Sequence, residues 1–80
     1  MKKLINTNLQ GLYQWGKDIY YIEYDISMKQ FIRRDVDNKG IINPNIIYIG
    51  TYLPKYYKLL VLNQFPINIK LSDIYPELFI

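Results

Sequence analysis

The stretch Ile19-Tyr20-Tyr21-Ile22-Glu23-Tyr24-Asp25-Ile26 is the densest run of β-branched and aromatic side chains in the chain, and such residues fit a pleated, half-buried surface. Its even positions, Tyr20, Ile22, Tyr24 and Ile26, are all apolar or aromatic, whereas Glu23 and Asp25 fall on odd positions. A period of two with one charged face predicts a strand lying on a core.

Toward the N-terminus, Leu9, Tyr13 and Trp15 share one parity, and Gly16-Lys17 separates them from this strand. Glycine at the first central position of a two-residue loop suits a type II′ turn. Such a turn pairs Trp15 with Asp18, Tyr13 with Tyr20 and Gly11 with Ile22. Leu9, Tyr13 and Trp15 then share a face with Ile22 and Tyr24, so turn chemistry and hydrophobic parity agree independently. Residues 1–8 carry Asn and Thr and read as a mobile or edge segment.

Toward the C-terminus, residues 27–30 are polar enough to reverse the chain, and 31–36 resume as a strand. Keeping Ile32 and Val36 with the even-numbered apolar set requires an even pairing register, because a slip of one turns the set to solvent. Arg33 would then face Glu23 or Asp25 on the outer side, an ion pair worth about 0.2–1 kcal/mol. Residues 46–52 are nearly continuous in apolar character and predict a central strand covered on both faces, with Gly50 at a bulge or close approach. Residues 55–64, introduced by Pro54, fit either a helix presenting Tyr56, Tyr57, Leu60 and Val61 or a strand; the lack of an N-cap and of alanine favours the strand. Residues 67–71 alternate cleanly and predict an edge strand, and Ser72-Asp73 a short turn. The apolar end, Leu78-Phe79-Ile80, either folds back over the core or inserts into a partner.

The fold expected is therefore mostly β, or α+β if residues 55–64 are helical. It is a small antiparallel meander or half-barrel of five to six strands with at most one short helix, residues 1–80 making a single small domain.

Composition narrows the function classes. A domain of 80 residues sits near the lower limit of independent folding, where a disulfide, a metal or a partner subunit commonly supplements the core. The chain has no Cys and no His, which removes disulfides, thiolate metal sites, the commonest metal ligand and the usual general base. A partner subunit is the natural supplement. The net charge of +3 is mild, and all but two of the ten positive charges are lysines scattered along the chain. No apolar run approaches a membrane span, and Met1-Lys2-Lys3 is not followed by an adequate secretory apolar region; the location expected is the cytoplasm, of a host if the protein is viral. Ile, Asn, Lys and Tyr make up nearly half of the chain and alanine is absent, as when codons are forced toward A and T in a bacterial, phage or viral genome; with the small size of the chain, a phage or other mobile element is the expected source.

Residues 35–42, Asp-Val-Asp-Asn-Lys-Gly-Ile-Ile, resemble the calcium loop of the EF-hand family, with Asp35, Asp37, Gly40 and Ile42 at its first, third, sixth and eighth positions. Lys39 stands at a ligand position and Ile46 where that family requires a bidentate Glu. The same residues read as a turn in which Asp37 or Asn38 bonds its own backbone and Gly40 takes positive φ, and that is the reading adopted. Asp25 with Asp37-Asn38-Lys39 weakly resembles the acid and acid-x-Lys pattern of restriction-type nucleases, which implies a magnesium-dependent cleavage; that family's domain is larger than this chain. Glu23 and Asp25 stand two apart, as paired carboxylates do, but Arg33 makes them an ion-pair face. Ser27, Ser72, Thr7 and Thr51 lack a histidine to activate them. No catalytic residue, metal or cofactor is expected, and no small-molecule substrate is evident.

The nine tyrosines are the feature that bears on function. Tyr48, Tyr52, Tyr56, Tyr57 and Tyr75 interleave with Lys55, Lys58 and Lys70. Tyrosine is enriched at protein interfaces, and aromatic platforms flanked by lysine also hold single-stranded nucleic acid at about 1–3 kcal/mol per stacked base. The expectation is a non-enzymatic binding or inhibitory protein acting on a protein partner or on itself as a homo-oligomer, with no membrane role. Its contact residues would be Tyr48, Tyr52, Lys55, Tyr56, Tyr57, Lys58, Leu78, Phe79 and Ile80. The alternative is a small β-barrel that binds single-stranded nucleic acid.

Overall fold

The computed structural model describes residues 9–79; expectations for residues 1–8 and for Ile80 lie outside them. Five antiparallel strands form one open sheet: β1 (Gly11–Trp15), β2 (Asp18–Asp25), β3 (Gln30–Val36), β4 (Ile47–Gly50) and β5 (Lys58–Leu62), in the order β4-β3-β2-β1-β5. After β5 come two 3₁₀ turns, Leu71–Asp73 and Pro76–Leu78. No helix among the described residues is long and apolar enough to cross a membrane.

The β1–β2 hairpin has the expected register, Gly11 opposite Ile22, Tyr13 opposite Tyr20 and Trp15 opposite Asp18. Gly16 has φ 64°, while Lys17 is not among the residues with positive φ, which is the sign pattern of a type II′ turn. Residues 58–62 are a strand, as the missing N-cap indicates. Ile49 is the extra residue of a bulge between Tyr48, opposite Ile32, and Gly50, opposite Phe31.

Three expectations are corrected. The β2–β3 register is odd: Ile22 faces Arg33, Glu23 faces Ile32 and Asp25 faces Gln30. The cause is the loop, where Asp25 Oδ1 accepts hydrogen bonds from Ser27 N at 3.0 Å and Ser27 Oγ at 2.7 Å, closing a four-residue turn with Lys29 at φ 55°. Arg34, not Arg33, therefore meets Glu23, in a partly buried ion pair. Second, the strand covered on both faces is β2, whose Ile19, Tyr20, Tyr21 and Ile22 are all buried; β4 is an edge strand. Third, residues 67–71 are no strand. The Ile69 amide closes a turn on the Pro66 carbonyl, and Lys70 makes an isolated bridge with Ile41.

Two cores follow from β2 being sandwiched. On one face Tyr13, Tyr20, Ile22, Phe31 and Tyr57 pack together, bordered by Leu9, Tyr24, Ile49 and Leu53. Because β4 and β5 lie at opposite edges, residues 51–57 must cross this face, and Leu53 and Tyr57 are what they bury there. On the other face Leu12, Ile19, Tyr21 and Ile42 are covered by Phe65, Leu71, Ile69, Tyr75, Leu78 and Phe79. A tyrosine hydroxyl tethers each cover: Tyr57 Oη accepts from Arg33 at 2.6 Å, and Tyr21 Oη accepts from the Phe65 amide at 2.9 Å.

Residues 35–42 form the turn inferred from their chemistry. Asp37 Oδ1 accepts from the Lys39 and Ile41 amides, both at 2.9 Å, and Gly40 has φ 83°. The Gly40 carbonyl also accepts from the Leu71 amide at 2.9 Å, so the turn docks the second cover. Among the described residues no group of three or more acidic side chains is placed to hold a metal ion.

Candidate interaction surfaces

The expected contact residues do not form one patch. Tyr57 is 6% exposed and belongs to the core: its amide donates to the Pro54 carbonyl at 3.2 Å, and this turn swings its ring inward onto Tyr20, with centroids 5.7 Å apart and edge to face. Leu78 and Phe79 pack on the second core, taking the folded-back course. They also wall a shallow cleft with Lys17, Asp18 and Asp37. Ile80 lies outside the described residues. The remaining five divide between two ends of the sheet.

Tyr48 and Tyr52 lie on and just after β4, exposed to 48% and 77%. Ile46 and Ile47 are exposed beside them, and Ile41 opens nearby in sequence. Residues 40–54 are the longest run in the sequence without a charged side chain. Among the described residues, β4 pairs only with β3, so its outer backbone groups face away from the sheet. An edge of this kind, with no lysine or proline inside the strand, is a template for pairing with another chain.

Tyr56 gathers with Trp15 at the other side. Their ring centroids are 4.3 Å apart with planes tilted by 32°, and Tyr57 lies beneath both, 4.9 Å from Tyr56 and 5.6 Å from Trp15. Both outer rings are nearly half exposed. Two exposed lysines adjoin them in the chain, Lys17 in the turn after Trp15 and Lys55 before Tyr56, whereas Lys58 pairs with Gln14 at the start of β5 and so shares the other face of the sheet. Trp15 is the exposed aromatic that sequence reading left out of this set. Its position at the last residue before a tight turn, where the sheet ends, was the available signal.

Below this corner, Arg33 lies 4.3 Å over the Tyr20 ring and donates to Tyr57. Burial works against its charge, but the Tyr57 hydrogen bond and the nearby Tyr57, Tyr20 and Asp35 oxygens hold its pKa above the ordinary value. Burial raises the phenol pKa of Tyr13, Tyr20 and Tyr21. Asp25 moves the other way, its pKa lowered chiefly by the Ser27 hydroxyl and further by the Met28 and Ser27 amides. Each polar group here has a structural occupation: Asp25 and Asp37 close turns, Glu23 holds Arg34, and Arg33 latches the crossing segment.

No family model, curated protein or solved structure matches the chain.

Proposed function

We propose that this is a non-enzymatic binding protein whose working surface is the uncovered apolar edge at β4, with Tyr48 and Tyr52 as its aromatic anchors. The observation that carries this reading is the juxtaposition of a strand edge unpaired among the described residues with a cluster of exposed Ile46, Ile47, Tyr48 and Tyr52. Apolar side chains exposed along a strand edge mark an interaction site, and aromatic side chains are favoured at the centres of such sites. The carboxylates best spaced for chemistry are committed to turns and an ion pair, which supports contact over catalysis. Residue usage shaped by A and T supports a phage or mobile element as source and a host cytoplasm as the place of work.

The test is capture from cells of the native source by the full chain, compared with Tyr48→Lys and Tyr52→Ser variants of unchanged circular dichroism. Association that depends on both tyrosines supports the reading. Association indifferent to both, or catalytic turnover by purified protein, contradicts it.

One observation favours a second reading. The Trp15–Tyr56 pair, adjoined in the chain by Lys17 and Lys55, offers a stacking surface beside positive charge, the chemistry that holds single-stranded nucleic acid. Titration of a labelled oligonucleotide at low salt tests it, with Trp15 quenching as the signal and steep weakening as salt rises.

A further inference from the structure

We infer that the occupant of the β4 edge is a second copy of this chain, paired strand to strand about a two-fold axis so that two five-stranded sheets run on as one of ten. This rests on the reading of β4 as the working edge and names its partner.

Charge selects the occupant. Each copy carries +3, so two copies meet with least repulsion where neither presents positive charge. Residues 40–54 supply the longest such stretch, with β4 in its middle. The opposite edge differs: β5 opens with Lys58, close in sequence to Lys55, and suits an acidic visitor better than its own image. A charged foreign strand finds no counter-charge along β4. A second β4 finds a strand as uncharged as itself.

Symmetry then limits the register. A two-fold axis normal to the sheet keeps each face on its own side, so side chains opposite one another must share parity. Ile47 shares its face with Arg33, and Tyr48 shares the opposite face with Ile32. With the axis at Ile47, Ile47 meets the partner's Ile47, and Ile46 meets the partner's Tyr48. The second is an aromatic–β-branched pair, a favoured cross-strand combination. Centring on Ile47 also leaves the bulge at Ile49 outside the central pairs, where ladder geometry must be regular.

The experiment is sedimentation equilibrium on the full chain, wild type beside Ile47→Lys and Tyr48→Lys, with Leu59→Lys on β5 as the control edge; circular dichroism establishes that each variant is folded. The expected result is a wild-type dimer, at least tenfold weaker association in either β4 variant, and no change in Leu59→Lys. A dimer broken by Leu59→Lys but untouched by both β4 variants overturns the inference. So does a wild-type chain that stays monomeric at high micromolar concentration. If that monomer still captures a partner through Tyr48, the self-pairing fails and the working edge stands; if it captures none, both fail.

Discussion

Arg33 and Tyr57 are joined by a 2.6 Å hydrogen bond from the guanidinium to the phenol oxygen, which fastens the segment crossing from β4 to β5 onto the sheet beneath it. The same guanidinium lies over the Tyr20 ring, so three side chains from three parts of the chain close one face. Nothing in the period of the strands announces this latch. It exists because the odd register of β2 and β3 turns Arg33 toward the crossing segment.

Tyr57→Phe keeps the ring and deletes the hydrogen bond, leaving a mostly buried arginine short of a partner. The loss expected is about 1.5 kcal/mol, at the lower end for bonds to charged groups because Arg33 keeps some solvent. Urea denaturation is the measurement, with a lowered midpoint and an unchanged slope. Adding Arg33→Met to Tyr57→Phe should recover part of the loss, since an apolar pair leaves no orphaned donor.

Gly16 and Gly40 both have positive φ, at 64° and 83°, but only one is crowded. A Cβ on Gly40 would lie 2.5 Å from the Ser72 backbone nitrogen, whereas one on Gly16 meets nothing within 4 Å. Gly16→Ala should cost roughly 1 kcal/mol from backbone strain alone. Gly40→Ala should cost roughly 3 kcal/mol or more, because the second cover must lift as well. Paired thermal melts check the contrast, and equal losses would contradict it.

Tyr13, Tyr20 and Tyr21 have phenol pKa values raised above the ordinary 10.0 by burial. A folded pKa above the unfolded one means that the stability tied to these groups is fully present below pH 10 and is lost as pH rises through the folded values. Alkaline titration followed at the tyrosinate absorbance should therefore show a late fraction that appears together with loss of the sheet signal. Complete ionisation with the sheet intact would contradict the burial of these rings.

Much of the first hairpin was legible because two independent signals, Gly16-Lys17 and the parity of Tyr13 with Tyr20, demanded the same register. The β2–β3 register was not, because Tyr20 and Tyr21 are both buried and hydrophobic parity loses its power in a strand covered on both faces. The deciding signal was local: Asp25 two residues before Ser27, an acceptor placed to close its own turn. The apolar run at 46–52 was misplaced to the centre of the sheet for a related reason. A run without charge reads as covered whether it lies at the centre or at the edge of a sheet, and β4 lies at the edge. Tyr56 and Tyr57 could not be told apart from sequence, since the turn at Pro54 alone decides which ring points inward.

The claim on which the account turns is that the β4 edge, unpaired among the described residues, becomes covered by association. Residue-resolved amide exchange measures this directly. In protein diluted to the monomer, the outward amides of residues 46–50 should exchange orders of magnitude faster than those of β1 and β2, and they should slow as the protein is concentrated. Amides of β4 as slow as those of β2 in the monomer would contradict the account.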